Sequence, residues 1–304
     1  MTYETALADL ALADERYVVL TAENRAAIRN LPERLGNRFI DTGIAEQALV
    51  GMSAGLALRG RVPVAHALAT FLTLRPFEFI RSDVGVANLP VKLVGYLPGI
   101  LSEANGPTHQ ALEDVALMRG IPHVHVFCPA DLEDLLIGLR PVLEHPAPWY
   151  IRYIDRPAAI RHDSVFQIGR AEIVSEGADV GLLVYGTLFR EAHEAASLLE
   201  ADGLSVRLVN LRTLKPIDEL EIVATARATR LLVTVEDHFL TGGLWTSVSE
   251  ILVRHRLPAR VHPIAFRERW FRPGRFADVL AAEGLRGEQL ATRIAKTLEG
   301  SHDH

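Results

Sequence analysis

The chain has 304 residues, 49% hydrophobic and 23% charged. That is room for about two domains at ~150 residues each, and a globular balance that excludes a mainly disordered chain or a small disulfide scaffold. Lys plus Arg number 32 against 38 Asp plus Glu, a formal charge of −6, which opposes the wrapping of a polyanion, so no nucleic-acid partner is expected. The lone Cys128 forms no intramolecular disulfide, Glu4 and Asp9 interrupt the apolar N-terminus, and no stretch reaches ~18 uncharged apolar residues, so a cytoplasmic protein without export or membrane association is expected.

Thr5 to Leu12 reads as a short helix and Tyr17 to Leu20, a β-branched apolar run, as a strand. Arg38 to Asp41 leads into a helix over Glu46 to Leu58, where Ala45, Ala48, Leu49 and Met52 follow the i, i+3, i+4, i+7 series. Strand Val62 to Leu68, helix Phe71 to Val86, strand Val91 to Leu97 and helix Leu112 to Arg119 continue the alternation. Strand His123 to Phe127, helix Leu132 to Leu143 and strand Trp149 to Tyr153 complete it. Apolar strands separated by helices predict a parallel sheet covered on both faces, because parallel neighbours need crossover connections. The polar stretch Asp155 to Phe166 marks a boundary. A second α/β unit follows, with strands Ile168 to Val174, Val180 to Tyr185, Val206 to Asn210, Leu231 to Glu236 and Arg260 to Ile264. Its helices are Arg190 to Leu199, Ile217 to Ala226 and Leu244 to Arg254, and the tail Ser301 to His304 is expected to fray.

Gly51-Met52-Ser53-Ala54-Gly55 matches G-x-S-x-G, yet the serine falls inside a periodic helix rather than a strained strand-to-helix turn, so a hydrolase is not expected. Gly51 and Gly55, with Ala48, instead form a smooth stripe that another helix can approach. His123 and His125 share one face of a strand without a third ligand, and no metal site is expected. Glu46 stands in the first turn of its helix, where a carboxylate complements the positive helix end. Glu103 to Gln110 is a polar loop just past a strand, and ligands of open parallel sheets bind outside strand carboxyl ends, so Glu46 and this loop can face one crevice.

The run Gly43 to Leu56, Ala69-Thr70-Phe71-Leu72, Asn105-Gly106-Pro107-Thr108-His109-Gln110, and Glu236-Asp237-His238 with Thr241-Gly242-Gly243-Leu244 resemble, in this order, the C-terminal section of transketolases. The resemblance implies a thiamine-diphosphate enzyme with a pyrimidine-binding domain over 1–158 and a transketolase C-terminal domain over 165–304, each a mostly parallel sheet covered by helices. By it, Glu46 matches the catalytic glutamate that hydrogen-bonds N1′ of the aminopyrimidine, where a carboxyl favours the imino tautomer. Phe71 matches the aromatic stacked on that ring, with Phe77 as a second wall and Ile44 as a further cofactor-pocket residue. His109 matches a catalytic, substrate-side histidine, and Arg152 an arginine that holds a sugar phosphate, with a plain salt bridge as the alternative.

Two positions depart from the family pattern: Asn105 stands where an Asp is usual and Leu97 where a His is expected, both contacts of the donor ketose. The resemblance thus implies Asn105 as a substrate-binding residue, and because an amide and an alkyl group remove ionisable acceptors, the usual donor is expected to be bound differently or not at all. The family holds Mg²⁺ and the diphosphate with a Gly-Asp-Gly segment and a later Asn, and this sequence contains no Gly-Asp pair. The resemblance therefore implies the β subunit of a split enzyme, in an α2β2 assembly with an α subunit that supplies those groups. The implied activity moves a two-carbon ketol unit from a ketose phosphate to an acceptor. Alternatives are a deoxyxylulose-phosphate-synthase-like condensation, acyl transfer to a lipoyl or carrier protein as in 2-oxo-acid dehydrogenase components, or a catalytically silent regulatory subunit.

Overall fold

β-branched and aromatic runs place the buried strands, and the polar turns between them leave space for helices. The computed structural model describes residues 1–300, so the tail Ser301 to His304 lies outside the described residues. The first part comprises α1 (Tyr3–Ala13), β1 (Tyr17–Thr21), α2 (Leu31–Leu35), β2 (Phe39–Asp41), α3 (Glu46–Leu58), β3 (Val62–Leu68) and α4 (Ala69–Leu74). It continues through α5 (Phe77–Phe79), a π-helical stretch Ile80–Gly85, β4 (Lys92–Tyr96), α6 (Asp114–Arg119), β5 (His125–Phe127), α7 (Leu132–Glu144) and β6 (Trp149–Tyr153). The second part holds β7 (Glu172–Ile173), β8 (Val180–Val184), α8 (Phe189–Ala201), β9 (Val206–Asn210), β10 (Thr213–Lys215) and α9 (Glu219–Ala228). It ends with β11 (Leu231–Phe239), α10 (Leu244–Arg254), β12 (Val261–Phe266), α11 (Phe276–Glu283) and α12 (Gly287–Leu298).

Two sheets result, a seven-stranded one in the order β10-β5-β6-β4-β3-β1-β2 and a five-stranded one in the order β12-β11-β8-β9-β7. Both are mostly parallel, with antiparallel pairs only at β10 against β5 and at β7 against β9. The expected two-sheet α/β architecture therefore stands. β10 belongs to the later part of the chain yet closes the edge of the first sheet. One apolar cluster joins Val126, Cys128 and Tyr150 from the first sheet to Tyr185, Leu211 and Leu244 from the second part.

The single helix expected over Phe71 to Val86 is instead three pieces. Pro76 lacks an N–H and breaks the ladder after α4, so the chain restarts at Phe77. The strand expected over Ile168 to Val174 shrinks to the two residues of β7. α11 and α12 escape the periodicity reading although Gly284, left-handed at φ 70°, separates them as a helix C-cap. His123 lies outside β5, at φ 67°, so it shares no strand face with His125.

Candidate functional site

In the first sheet the connection from β1 runs to β2 on one side while that from β3 runs to β4 on the other, so a crevice opens between the carboxyl ends of the neighbouring strands β1 and β3. Three segments reach it. The turn after β2 carries Glu46 into the first turn of α3. The helix that begins directly after β3 carries Phe71. The loop after β4 carries His109.

Side-chain contacts tie these segments together. Glu46 is only 3% exposed, and its Oε1 accepts from Arg75 Nη1 at 2.7 Å. The Arg75 guanidinium lies 3.7 Å from the centroid of the Phe71 ring, a cation–π contact. Phe71 in turn meets the His109 ring edge-on at 5.1 Å between centroids, and Thr108 Oγ1 lies 2.9 Å from His109 Nδ1. Arg75 itself remains 38% exposed at its side chain. The break at Pro76 leaves it at the end of α4, and Gln47 Nε2 donates to its carbonyl at 3.4 Å.

Arg75 therefore fills the crevice with a flat, cationic nitrogen group that bonds the Glu46 carboxylate and covers the Phe71 face. An aminopyrimidine ring asks for the same two partners, a carboxylate at a ring nitrogen and an aromatic face, so the residues present fit the pyrimidine end of thiamine diphosphate. A ring that takes both contacts must displace the guanidinium. Arg75 is a residue that sequence reasoning missed, and the signal was available: an arginine directly before a helix-breaking proline, one helical turn after Phe71.

The other expected residues fall in different places. Ile44 is 71% exposed in the turn before α3. Phe77 is half-buried and packs against the core of the first sheet. Asn105 is exposed in the loop after β4. Leu97 is half-buried and holds φ 54° at the end of β4, a conformation costly for a branched side chain. On α3, Ala48, Met52 and Gly55 face outward, and a side chain added at Gly55 would meet nothing within 4 Å.

Arg152 corrects the expectation of a phosphate-binding arginine. It is 0% exposed. Its Nε donates to Asp114 Oδ2 at 2.9 Å and its Nη1 to Asp237 Oδ1 at 2.7 Å. Tyr150 donates to Asp114 Oδ2 at 2.6 Å and Thr187 to Asp237 Oδ2 at 2.5 Å. The second sheet has its own divergence between β8 and β11, and there the carboxylate of Asp237 faces not a ligand but this arginine from the first sheet. Burial alone would disfavour the guanidinium cation, yet Asp114 and Asp237 hold its pKa far above the ordinary value. A cation enclosed in this way between two carboxylates is unavailable to a sugar phosphate.

The motif Glu236-Asp237-His238 with Gly242-Gly243 has a structural reading too. Glu236 accepts from the backbone N–H groups of Leu244 and Trp245 at 2.6 and 2.9 Å, occupying the N-terminus of α10 with its own carboxyl. A Cβ on Gly243 would fall 1.9 Å from Glu236 Oε2, so only glycine fits. Burial pushes the Glu236 pKa up to about 8, against those two backbone hydrogen bonds. Gly99, at φ 59°, is held just as tightly, since its Cβ would fall 1.7 Å from Asp237 Oδ2.

Comparison with known proteins agrees with this architecture. The sequence profile of the transketolase pyrimidine binding domain matches residues 1–156, and that of the transketolase C-terminal domain matches residues 169–290. The chain is 38% identical to the 6-deoxy-6-sulfo-D-fructose transketolase subunit SqwH of Clostridium sp. (strain MSTE9), over 83% of this chain and 79% of that protein. It is 33% identical to a putative transketolase C-terminal section of Methanocaldococcus jannaschii, over 98% and 95% of the two chains. Among solved structures, one described as a split gene transketolase, inactive β4 tetramer, superposes with a TM-score of 0.86 at 33% identity, covering 99% of this chain and 97% of that one. No helix among the described residues is long and apolar enough to cross a membrane.

Proposed function

Because the chain belongs to the transketolase family, with its pyrimidine-binding and C-terminal domains, we infer that it is the C-terminal section of a split thiamine-diphosphate-dependent transferase. In this reading it moves a two-carbon ketol unit from a ketose phosphate or a related acidic ketose to an acceptor, and does so only with an N-terminal section. The observation that carries the reading is the buried Glu46 carboxylate facing the Phe71 ring across a displaceable guanidinium.

Thiamine diphosphate, when bound, supplies a carbon nucleophile for the substrate carbonyl. The chain's own residues do the rest. Glu46 holds or moves a proton at the pyrimidine ring nitrogen, and its burial strengthens that contact by lowering the local dielectric. Phe71 fixes the ring plane. His109, against the edge of Phe71, offers an imidazole to substrate hydroxyls or to a developing oxyanion. Asn105 contributes an amide where the family carries a carboxylate, so donor recognition differs from that of ordinary transketolases.

The diphosphate and Mg²⁺ are assigned to the N-terminal section, in keeping with the absence of a Gly-Asp pair from this sequence. The outward glycine-lined stripe of α3 starts beside Glu46 and is the assigned place for close approach by that partner. A relative described as an inactive β4 tetramer is in keeping with a C-terminal section that is silent by itself. An α2β2 complex is the expected stoichiometry.

The test is to purify the chain with the N-terminal section and follow consumption of a ketose phosphate. The pair is expected to turn over where neither chain alone does, and Glu46→Gln is expected to lower kcat by about 10²- to 10⁴-fold. Turnover by Glu46→Gln at the wild-type rate would remove the glutamate from this assignment.

A further inference from the structure

A cavity of about 850 Å³ lies at the opposite end of the strands that flank the crevice, where Tyr17 opens β1 and Val62 opens β3. Its volume is of the size that takes small-molecule ligands. Ala6 and Leu10 of α1, with Leu136, Leu139 and Leu143 of α7, give it apolar walls. Glu46, Phe71 and His109 are not among its lining residues.

The polar groups that line it are unevenly partnered. Asp14 Oδ2 accepts from Nε and Nη2 of Arg16 at 3.0 and 2.7 Å. Arg140 pairs with Glu144 at 2.8 Å, and Asp9 with Arg34 at 3.2 Å. Each acid of the lining therefore has its own arginine. Arg61, the remaining arginine of the lining, donates from Nη1 to the Glu15 carbonyl at 2.8 Å and joins no ion pair among the described residues. Tyr17 is 2% exposed, and its hydroxyl has no hydrogen-bond partner among the described residues. Burial, with Glu144 and Asp14 beside it, pushes the Tyr17 pKa up to about 12, so the phenol is a donor at neutral pH.

Two further groups add donors on this side. His145 Nδ1 accepts from Ala147 N at 3.2 Å, and burial together with Lys92 lowers the histidine's pKa. The neutral ring then carries its proton on Nε2. Lys92 is 0% exposed, donates to the carbonyls of His145 and Ala147, and meets no carboxylate among the described residues. Burial brings its pKa down to about 7. Donors are thus in surplus around apolar walls, and no carboxylate of the lining lacks a cation.

We propose that this cavity binds a small amphiphilic carboxylate, with its apolar body between α1 and α7 and its carboxylate on Tyr17 and Arg61. A hydrocarbon or aromatic body takes the apolar walls out of water. A carboxylate accepts from a hydroxyl and a guanidinium at once, the stronger, charge-assisted kind of hydrogen bond. A dianionic phosphate suits the cavity less, because Asp14 and Glu144 stand beside Tyr17 and one arginine alone is unpaired. The site needs neither thiamine diphosphate nor ketol transfer, so it stands or falls apart from the functional reading.

The test is equilibrium dialysis of labelled octanoate against the full chain, alone and assembled with the N-terminal section. One site per chain is expected, with 1-octanol and octyl phosphate at least about tenfold weaker as competitors, the ratio that one charge-assisted hydrogen bond supplies. Tyr17→Phe, which keeps the buried ring, and Arg61→Gln are each expected to raise the Kd by about five- to tenfold. Arg61→Lys is expected to cost less than Arg61→Gln, and Ala13→Trp, which fills the cavity from the end of α1, to abolish binding. Saturating thiamine diphosphate is expected to leave the Kd unchanged.

No octanoate bound at millimolar concentration overturns the proposal, as does equal or tighter binding of 1-octanol or octyl phosphate. Binding that persists in Ala13→Trp, or that thiamine diphosphate displaces, puts octanoate elsewhere and overturns the site. Binding to the chain alone but not to the assembled pair also overturns it, and identifies this face as one that the N-terminal section covers.

Discussion

Two arginine–carboxylate contacts separate what this fold does from what holds it together. Arg75 meets Glu46 through one hydrogen bond while part of its side chain faces water, so the contact can be exchanged for a ligand at small cost. Arg152 meets Asp114 and Asp237 with all three side chains fully buried. Opening that knot leaves two carboxylates uncompensated in a low-dielectric interior. Identical residue chemistry thus gives an exchangeable site in the crevice of the first sheet and a fixed joint between the two sheets, and burial decides which.

The sharpest way to break this comparison is Arg152→Ala. It is expected to destabilise the chain by about 3–5 kcal/mol, because it strands buried charges, and chemical unfolding followed by circular dichroism reads it. A loss below about 1 kcal/mol, or a rise in KM confined to phosphorylated donors, would return Arg152 to substrate binding. Arg75→Ala is the counterpart. Its expected cost in stability is about 1 kcal/mol or less, while coenzyme affinity of the assembled pair is expected to increase several-fold, since the competing guanidinium is gone. Calorimetric titration checks this, and weakened coenzyme binding would show that Arg75 supports the ring rather than standing in for it.

The smallest effect concerns a second buried network, in the segment that links the two domains. His162 lies 2.9 Å from Asp131 Oδ2 and 2.8 Å from Glu172 Oε2. Burial opposes its charge, but hydrogen bonds to Asp131 and Glu172 prevail and raise its pKa from 6.5 to about 10. A raised histidine pKa contributes stability that is fully present below the unfolded value and is lost as pH rises through the folded one. Unfolding midpoints are therefore expected to decline between about pH 6.5 and pH 10, and His162→Gln is expected to flatten that slope. Glu172 mirrors it: burial would raise its pKa, yet His162 and Asn210 bring it down to about 2. Its contribution is present above its ordinary value and lost as pH falls toward 2. An unchanged alkaline slope in His162→Gln would contradict the assignment.

Most of the fold was legible because buried strands and amphipathic helices advertise themselves locally. β3, α3 and α10 fall at the residues their patterns predict, from Val62, Glu46 and Leu244 onward. β10 was not legible, since three residues pairing antiparallel with β5 respond to a partner far away in sequence. At the site, Glu46, Phe71 and His109, singled out through motif order, come together in the structure: Arg75 joins Glu46 to Phe71, and Phe71 meets His109. Burial of Arg152 was not legible, because strand position does not reveal that a second sheet will close over its end. Nor does sequence alone set Pro273 and Phe276 against the loop of Glu103 and Gly106, a juxtaposition that only the docking of the two domains creates.

The most direct measurement is a crystal structure of the chain with the N-terminal section and thiamine diphosphate. The account predicts a Glu46 carboxylate oxygen within about 3 Å of the pyrimidine ring nitrogen, the ring over Phe71, and Arg75 turned away from both. A Glu46 still bonded to Arg75, with the coenzyme ring bound elsewhere, would contradict it.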